Sequence, residues 1–316
     1  MEIVTLRLDS LPAERFDTWR ATTRGRLIRL RQDSGLRPGS DAEEQVDAIF
    51  EQVLTPGAIA AESTILAILV DDVEIGTLWL SLPGERAFVI DVHTDRELSR
   101  QERDALAEQI EELARRTGAR TLSVGIFHQE AATHRLFAGR GYDVSSIQMV
   151  LDPLPERTEQ DERVRVSPMT ADRFERFVRE SEQTFAEELA ATGRMSADDA
   201  IAEAHRQFAK ELPDGLATDG QELFTAEAAG AEVGILWLSL RSRGAEPHGF
   251  ILDIAVDAAH RRRGYGRAIM QAAEQETRRL GAASLGLHVF GSNAAAVALY
   301  ERLGYRRLEE LFVRVL

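Results

Sequence analysis

Residues Ile254-Ala255-Val256-Asp257-Ala258-Ala259-His260-Arg261-Arg262-Arg263-Gly264-Tyr265-Gly266-Arg267 set an apolar run beside three consecutive arginines and two glycines one residue apart. The stretch joins a strand to a helix through a basic loop. Backbone N–H groups at a helix start, aligned with its dipole, form an anion site. Gly264 and Gly266 allow a diphosphate to approach the backbone with no Cβ in the way. Arg261, Arg262, Arg263 and Arg267 add positive charge in a chain whose net charge is −15. Further on, His288 lies in a strand-like run, Asn293 opens a short helix, and Tyr300 follows seven residues later. The plain alternatives are a solvated basic turn for the loop and a core aromatic for Tyr300, since Ala296, Tyr300 and Leu303 share one helical stripe.

The first stretch resembles the pyrophosphate-binding loop of the GNAT N-acetyltransferase superfamily: Arg or Gln, two residues, Gly, one residue, Gly or Ala. Arg261, Gly264 and Gly266 meet that pattern. The run from Leu287 through Tyr305 is similar to the superfamily's second signature, in which an Asn opens the helix beside the cofactor and a Tyr protonates the leaving thiolate. Asn293 and Tyr300 match. The resemblance covers about residues 164–316. It implies acetyl-CoA as cosubstrate and no metal. The backbone of Ile254, Ala255 and Val256 would take the pantetheine arm and acetyl carbonyl. The loop Arg261, Arg262, Arg263, Gly264, Tyr265, Gly266 and Arg267 would hold the diphosphate, with Asn293 and Ala296 flanking the cofactor. Where the superfamily usually has a proline after the strand, this chain has Ala258.

Acetyl transfer asks for a neutral amine, a polarised thioester and a proton for the departing thiolate, whose parent thiol titrates at about 8.5. Tyr300 is the expected general acid. His288 occupies the strand position at which the ribosomal-protein alanine acetyltransferases carry a glutamate base, and a histidine there can accept or relay the proton. A hydrogen-bonded strand residue is an equal reading of His288. Asp253 is a weaker base candidate. Glu182, Glu187 and Glu188 either greet a cationic substrate or form a solvated helix face.

The elements that hold these groups are written twice. Leu78-Trp79-Leu80-Ser81-Leu82 recurs as Leu236-Trp237-Leu238-Ser239-Leu240, Asp91 recurs as Asp253, and Gly141-Tyr142 as Gly304-Tyr305, so the offset rises from 158 to 162 to 163. An internal repeat therefore sets the architecture. In the second copy, strands are expected at 164–166, 223–226, 234–240, 249–256 and 284–290, with closing strand material up to residue 316. Helices are expected from Phe174 through Phe185, from Ser196 to Leu212, at 265–280 and at 293–303. The fold class is mixed α/β: two tandem GNAT-like domains, each a mostly antiparallel mixed sheet flanked by helices. The expected division is 1–151, a charged and proline-containing linker 152–162, and 163–316.

In the first copy the matching loop reads Leu98-Ser99-Arg100-Gln101-Glu102-Arg103-Asp104, without glycine. Ser99 and Glu102 fit a capping box, which satisfies the helix start that a diphosphate would otherwise occupy. Phe137, Glu130 and Gly125 stand in for Tyr300, Asn293 and His288, so the first copy is expected to be inactive.

The bulk composition narrows the classes. An acidic chain disfavours nucleic acid, whose binding rests on neutralising phosphates, and mildly favours cationic amines. No apolar run reaches the length of a membrane span, and residues 1–4 lead into no basic-then-apolar signal, so a cytoplasmic protein is expected. The absence of cysteine excludes disulfides and thiolate nucleophiles. The expected protein is an acetyl-CoA-dependent N-acetyltransferase acting on an amine of a small molecule, peptide or protein N-terminus, as a monomer of two pseudo-symmetric halves or a homodimer. A non-catalytic acetyl-CoA sensor is one alternative. An enzyme of the mycothiol synthase kind is another, and it shares only the tandem layout.

Overall fold

The computed structural model describes residues 5–36, 40–54, 63–157, 161–191 and 195–316. Residues 1–4, read above for a signal, and linker residues 158–160 lie outside the described residues. The chain forms two units, Met1–Ile147 with Leu308–Leu316, and Gln148–Arg307.

The first unit runs β1 (Leu6–Ser10), α1 (Phe16–Ser34), α2 (Ser40–Val53), β2 (Ser63–Val70), β3 (Val73–Ser81), β4 (Arg86–Thr94), α3 (Arg100–Arg116), β5 (Thr121–Phe127) and α4 (Ala131–Phe137). Strand β6 (Asp143–Leu151) carries the chain into the second unit. There follow β7 (Arg165–Pro168), α5 (Ala171–Ala191), α6 (Ala197–Glu211), β8 (Gln221–Ala228), β9 (Ala231–Arg243), β10 (Glu246–Val256), α7 (Tyr265–Arg279), β11 (Leu285–Phe290) and α8 (Ala294–Leu303). The last strand is β12 (Arg306–Val315).

Within each unit the strand pairing is mixed. In the first unit β1 to β4 form an antiparallel meander, and β5 returns parallel to β4 through α3. The second unit repeats this with β7 to β10 and a parallel β11. Strand β12, last in the second copy by sequence, completes the first unit by pairing antiparallel with β5, from Glu309 opposite Phe127 to Val315 opposite Thr121. The sequence reading kept this strand with the second half. Strand pairing is non-local, and nothing in β12 itself names its neighbour.

The repeated Leu-Trp-Leu is buried on both faces, as a strand covered by helices on either side must be. Leu78 and Leu80 pack with Leu106 and Ile110 of α3, while the alternating Trp79 packs under α1 and α2. There its ring lies 5.3 Å from Trp19, edge-on, and 4.8 Å from Phe50. Trp237 repeats the cluster with Phe177 at 5.7 Å, also edge-on, and Phe208 at 5.3 Å. The two repeated indoles are satisfied: Trp79 donates to Ser63 Oγ at 2.9 Å, and Trp237 to Gln221 Oε1 at 2.7 Å.

The stretch read as a linker is tied down where it is described. The Leu154 N–H donates to the Ala283 carbonyl at 2.8 Å, and Arg157 donates two hydrogen bonds to the buried Glu274.

Candidate functional site

Two features of β10 open the site. Its pairing with β9 is interrupted between Ile251 and Asp253, so Leu252 forms a bulge that re-aims the residues after it. Its parallel pairing with β11 covers only Gly249–Ile251 against Leu285–Leu287. Beyond that register β10 runs on to Val256 and β11 to Phe290, leaving a wedge between the carboxyl ends of two parallel strands, a position where ligands commonly bind in open sheets. Gly234 of β9 permits this path. A Cβ there would drive into the Ala255 carbonyl, and Gly76 stands in the same relation to His93 of β4. Both glycines stand two positions before the repeated pentapeptide, a signal that the sequence reading passed over.

Ile254, Ala255 and Val256 lie along the wedge, held on their other edge by Leu236, Ile235 and Gly234. The basic loop follows. Arg261 donates from Nε to the Val256 carbonyl at 3.1 Å, and Arg262 adopts a positive φ of 60°. Gly264 is the N-cap of α7 in the left-handed region, φ 87°, with no side-chain cap. The first N–H groups of α7 therefore meet no side chain of their own helix start, and Arg261, Arg262, Arg263 and Arg267 are all exposed around them, with Tyr265 and Gly266 half-buried. Arg163, which sequence reasoning missed, joins this cluster by donating from Nη1 to the Arg263 carbonyl at 3.2 Å.

Asn293 caps α8, its Oδ1 accepting from the Ala296 N–H at 3.2 Å, so the pairing of Asn293 and Ala296 is one of helix initiation. Tyr300 lies two turns on, 7% exposed. Burial, with the Asp253 and Glu188 carboxylates nearby, pushes its hydroxyl up to about 12. His288 is exposed on β11, its ring 6.4 Å from that of Phe290.

The helix α5 supplies the opposite wall. Ser181, Phe185 and Glu188, at i, i+4 and i+7, share one face. The Ser181 hydroxyl faces the Asp253 carboxylate, and the Phe185 ring lies 6.3 Å from that of Phe290 on β11, so this face meets the wedge. Burial raises Asp253 against the pull of Ser181 and the Ile254 N–H, and burial beside Asp253 raises Glu188. Glu182 is half-buried and Glu187 exposed, the latter accepting from Gln183 at 2.9 Å.

The first unit shows the same frame with its chemistry closed. Ser99 Oγ accepts from the Glu102 N–H at 3.3 Å, and Glu102 accepts from the Ser99 N–H at 2.7 Å, the capping box expected from sequence. Arg96 covers Glu102 with two further hydrogen bonds. Asp91, the counterpart of Asp253, accepts two hydrogen bonds from Arg26, and Glu130 accepts from the Phe127 N–H at 3.0 Å. Cavities of about 330 and 510 Å³ remain in this unit and share Leu30, Val92, Glu130 and Thr133, with Arg26 lining the first and Asp91 the second.

Among the described residues no cluster of acidic residues and histidines is arranged to hold a metal, and no helix is long and apolar enough to cross a membrane.

Comparison with known proteins adds the following. Residues 178–305 match the model of the acetyltransferase (GNAT) family. Over 147 residues, 46% of this chain and 94% of the relative, the chain is 28% identical to the Bacillus subtilis protein named uncharacterized N-acetyltransferase YycN. Over 160 residues it is 32% identical to a mycothiol acetyltransferase of Nocardiopsis dassonvillei, a match covering 48% of this chain and 46% of that protein. In fold, a GCN5-related N-acetyltransferase from Sphaerobacter thermophilus aligns with 98% of this chain and 95% of its own, at a TM-score of 0.54 and 19% identity.

Proposed function

We infer that this chain, an acetyltransferase whose residues 178–305 belong to the GNAT family, moves an acetyl group from acetyl-CoA to a primary amine in its second unit. One contrast carries the reading: α7 starts at an uncapped glycine among exposed arginines, whereas α3 is closed by its own serine and glutamate. The uncapped start suits a diphosphate because backbone donors and dipole act together there. When bound, acetyl-CoA supplies a thioester carbonyl and a thiolate leaving group.

This chain's residues do the rest. Arg261, Arg262, Arg263 and Arg267 neutralise the diphosphate, and the backbone of Ile254, Ala255 and Val256 aligns the amide arm along the wedge. Asn293 fixes the start of α8 and so positions Tyr300. The Tyr300 hydroxyl holds the proton that the departing sulfur needs, and its raised pKa keeps that proton in place at neutral pH. His288 passes protons between the amine and solvent, and its exposure on β11 supports this role. The first unit, lacking an open helix start, serves as scaffold.

Calorimetric titration with acetyl-CoA tests the reading together with thiol release in the presence of amines. One site per chain and amine-dependent release are expected. Two equivalent sites would overturn the single site in the second unit, and binding without any release would return the protein to the sensor alternative.

A further inference from the structure

Asp91 and Asp253 follow the same bulge on the same strand of their units, yet their surroundings differ in charge. In the first unit Arg26 of α1 holds Asp91 with two hydrogen bonds, the side chains being 21% and 4% exposed. The aromatic clusters fix which residues of α1 and α5 correspond, since Phe16, Trp19 and Phe50 match Phe174, Phe177 and Phe208 at one constant offset. By that offset Thr184 stands where Arg26 stands, and its hydroxyl is turned to its own helix, donating to the Glu180 carbonyl at 3.0 Å. Glu188 stands where Leu30 lines both cavities of the first unit. Among the described residues the second unit thus lacks the internal cation, and its second acid at this aspartate is Glu188 where the first unit has Glu130. Tyr300, 7% exposed, adds a hydroxyl where the first unit has Phe137.

Among the described residues none sets a cation against Asp253 and Glu188, and two part-buried carboxylates left that way are costly unless protons or a cationic ligand offset them. On the acetyltransferase reading above, we propose that the acceptor is an alkyl- or aralkylammonium without a neighbouring carboxylate, docking on Asp253 and Glu188 where Arg26 docks on Asp91. Phe185 and Phe290 offer their rings to its apolar body. A carboxylate beside the amine would face both acids and be rejected. The same pair performs the first proton transfer. Asp253 or Glu188 takes one proton from the ammonium, and the freed nitrogen lone pair forms the bond to the thioester carbonyl carbon. The carbon–sulfur bond breaks, and sulfur takes the Tyr300 proton. The nitrogen's second proton restores Tyr300, and the carboxylate releases its own to solvent.

The test uses the full chain with phenethylamine, phenylalanine and phenethylguanidine, the last imitating Arg26. Phenethylamine should exceed phenylalanine in kcat/KM by at least about 10²-fold, the scale of one misplaced buried charge. Phenethylguanidine should inhibit competitively against the amine and not against acetyl-CoA. Glu188→Gln should raise KM and move the acid limb of the pH profile to lower pH, because the like charge beside Asp253 is gone. Calorimetry of phenethylguanidine without acetyl-CoA should show binding that Asp253→Asn abolishes. Equal use of phenylalanine, an unmoved acid limb in Glu188→Gln, or guanidine binding unaffected by Asp253→Asn would each overturn the proposal. Guanidine binding that depends on Asp253, in a chain that binds no acetyl-CoA, would instead overturn the acetyltransferase reading alone.

Discussion

Tyr300 shares the buried side of α8 with Val297 and Leu303, and its ring lies 5.9 Å from that of Tyr305. The first unit repeats the arrangement with Phe137 and Tyr142 at 5.3 Å, so a phenylalanine fits this place in the fold. Tyr300→Phe is therefore expected to keep acetyl-CoA affinity and melting temperature while lowering kcat by about 10²–10⁴-fold, the usual contribution of a positioned acid. Steady-state kinetics beside calorimetry check this, and an unchanged chemical step would remove Tyr300 as the acid. The pH sign follows from its raised pKa. The hydroxyl stays protonated until pH approaches about 12, so no loss of activity near pH 10 should trace to it. A basic limb near 10 that disappears in Tyr300→Phe would contradict the burial described here.

At the scale of the element, α3 and α7 are the same helix with opposite starts. Ser99→Ala should destabilise the first unit by about 1 kcal/mol, as loss of an N-cap typically does, measurable by urea or thermal denaturation. Glu102 is held down to about 2, first by the hydrogen bond from Arg96 and against the opposing effect of burial. A depressed carboxylate contributes stability above its unfolded pKa of about 4.3 and loses it as pH falls from there toward about 2. Glu102→Gln should accordingly flatten the pH dependence of melting across that window. For α7, Gly264→Glu should abolish acetyl-CoA binding. Its carboxylate would crowd and repel the diphosphate, while the left-handed backbone costs a non-glycine residue about 1–2 kcal/mol and the new Cβ presses on the guanidinium of Arg163, at 2.9 Å. A folded variant that binds acetyl-CoA like the wild type would displace the diphosphate site from this loop.

For the whole molecule, the ownership of β12 matters most. Leu308–Leu316 belong to the first unit and pair along β5, and Arg314 reaches the buried Glu111 at 2.6 Å. Truncation after Arg307 should therefore damage the first unit, although the cut lies at the end of the second copy. Scanning calorimetry should show its transition lowered or lost, because β5 becomes an open edge. An unchanged thermogram would mean that β12 contributes little to that sheet. The crossover helices also bury a glutamate at the matching place in the repeat, Glu111 and Glu274, and each is answered by arginine, Arg140 to Glu111 and Arg157 to Glu274. The two arginines come from non-equivalent positions, one after α4 and one after β6, so the units solved a shared problem separately.

The sequence by itself determined what depends on neighbours a few residues apart. The repeat, the helix start at Tyr265, the capping box at Ser99 and the stripe carrying Tyr300 could all be read from it, because caps, glycine turns and periodicity are local. Only the tertiary structure decided the rest. It paired Arg26 with Asp91 across 65 residues of chain, brought Ser181 and Glu188 to Asp253, and gave β12 to the first unit. The aspartate repeats at the same place in both copies, so its type alone could not say which is neutralised. That depends on whether the helix packed above it offers an arginine or a threonine, a choice that becomes visible only once the two elements lie together.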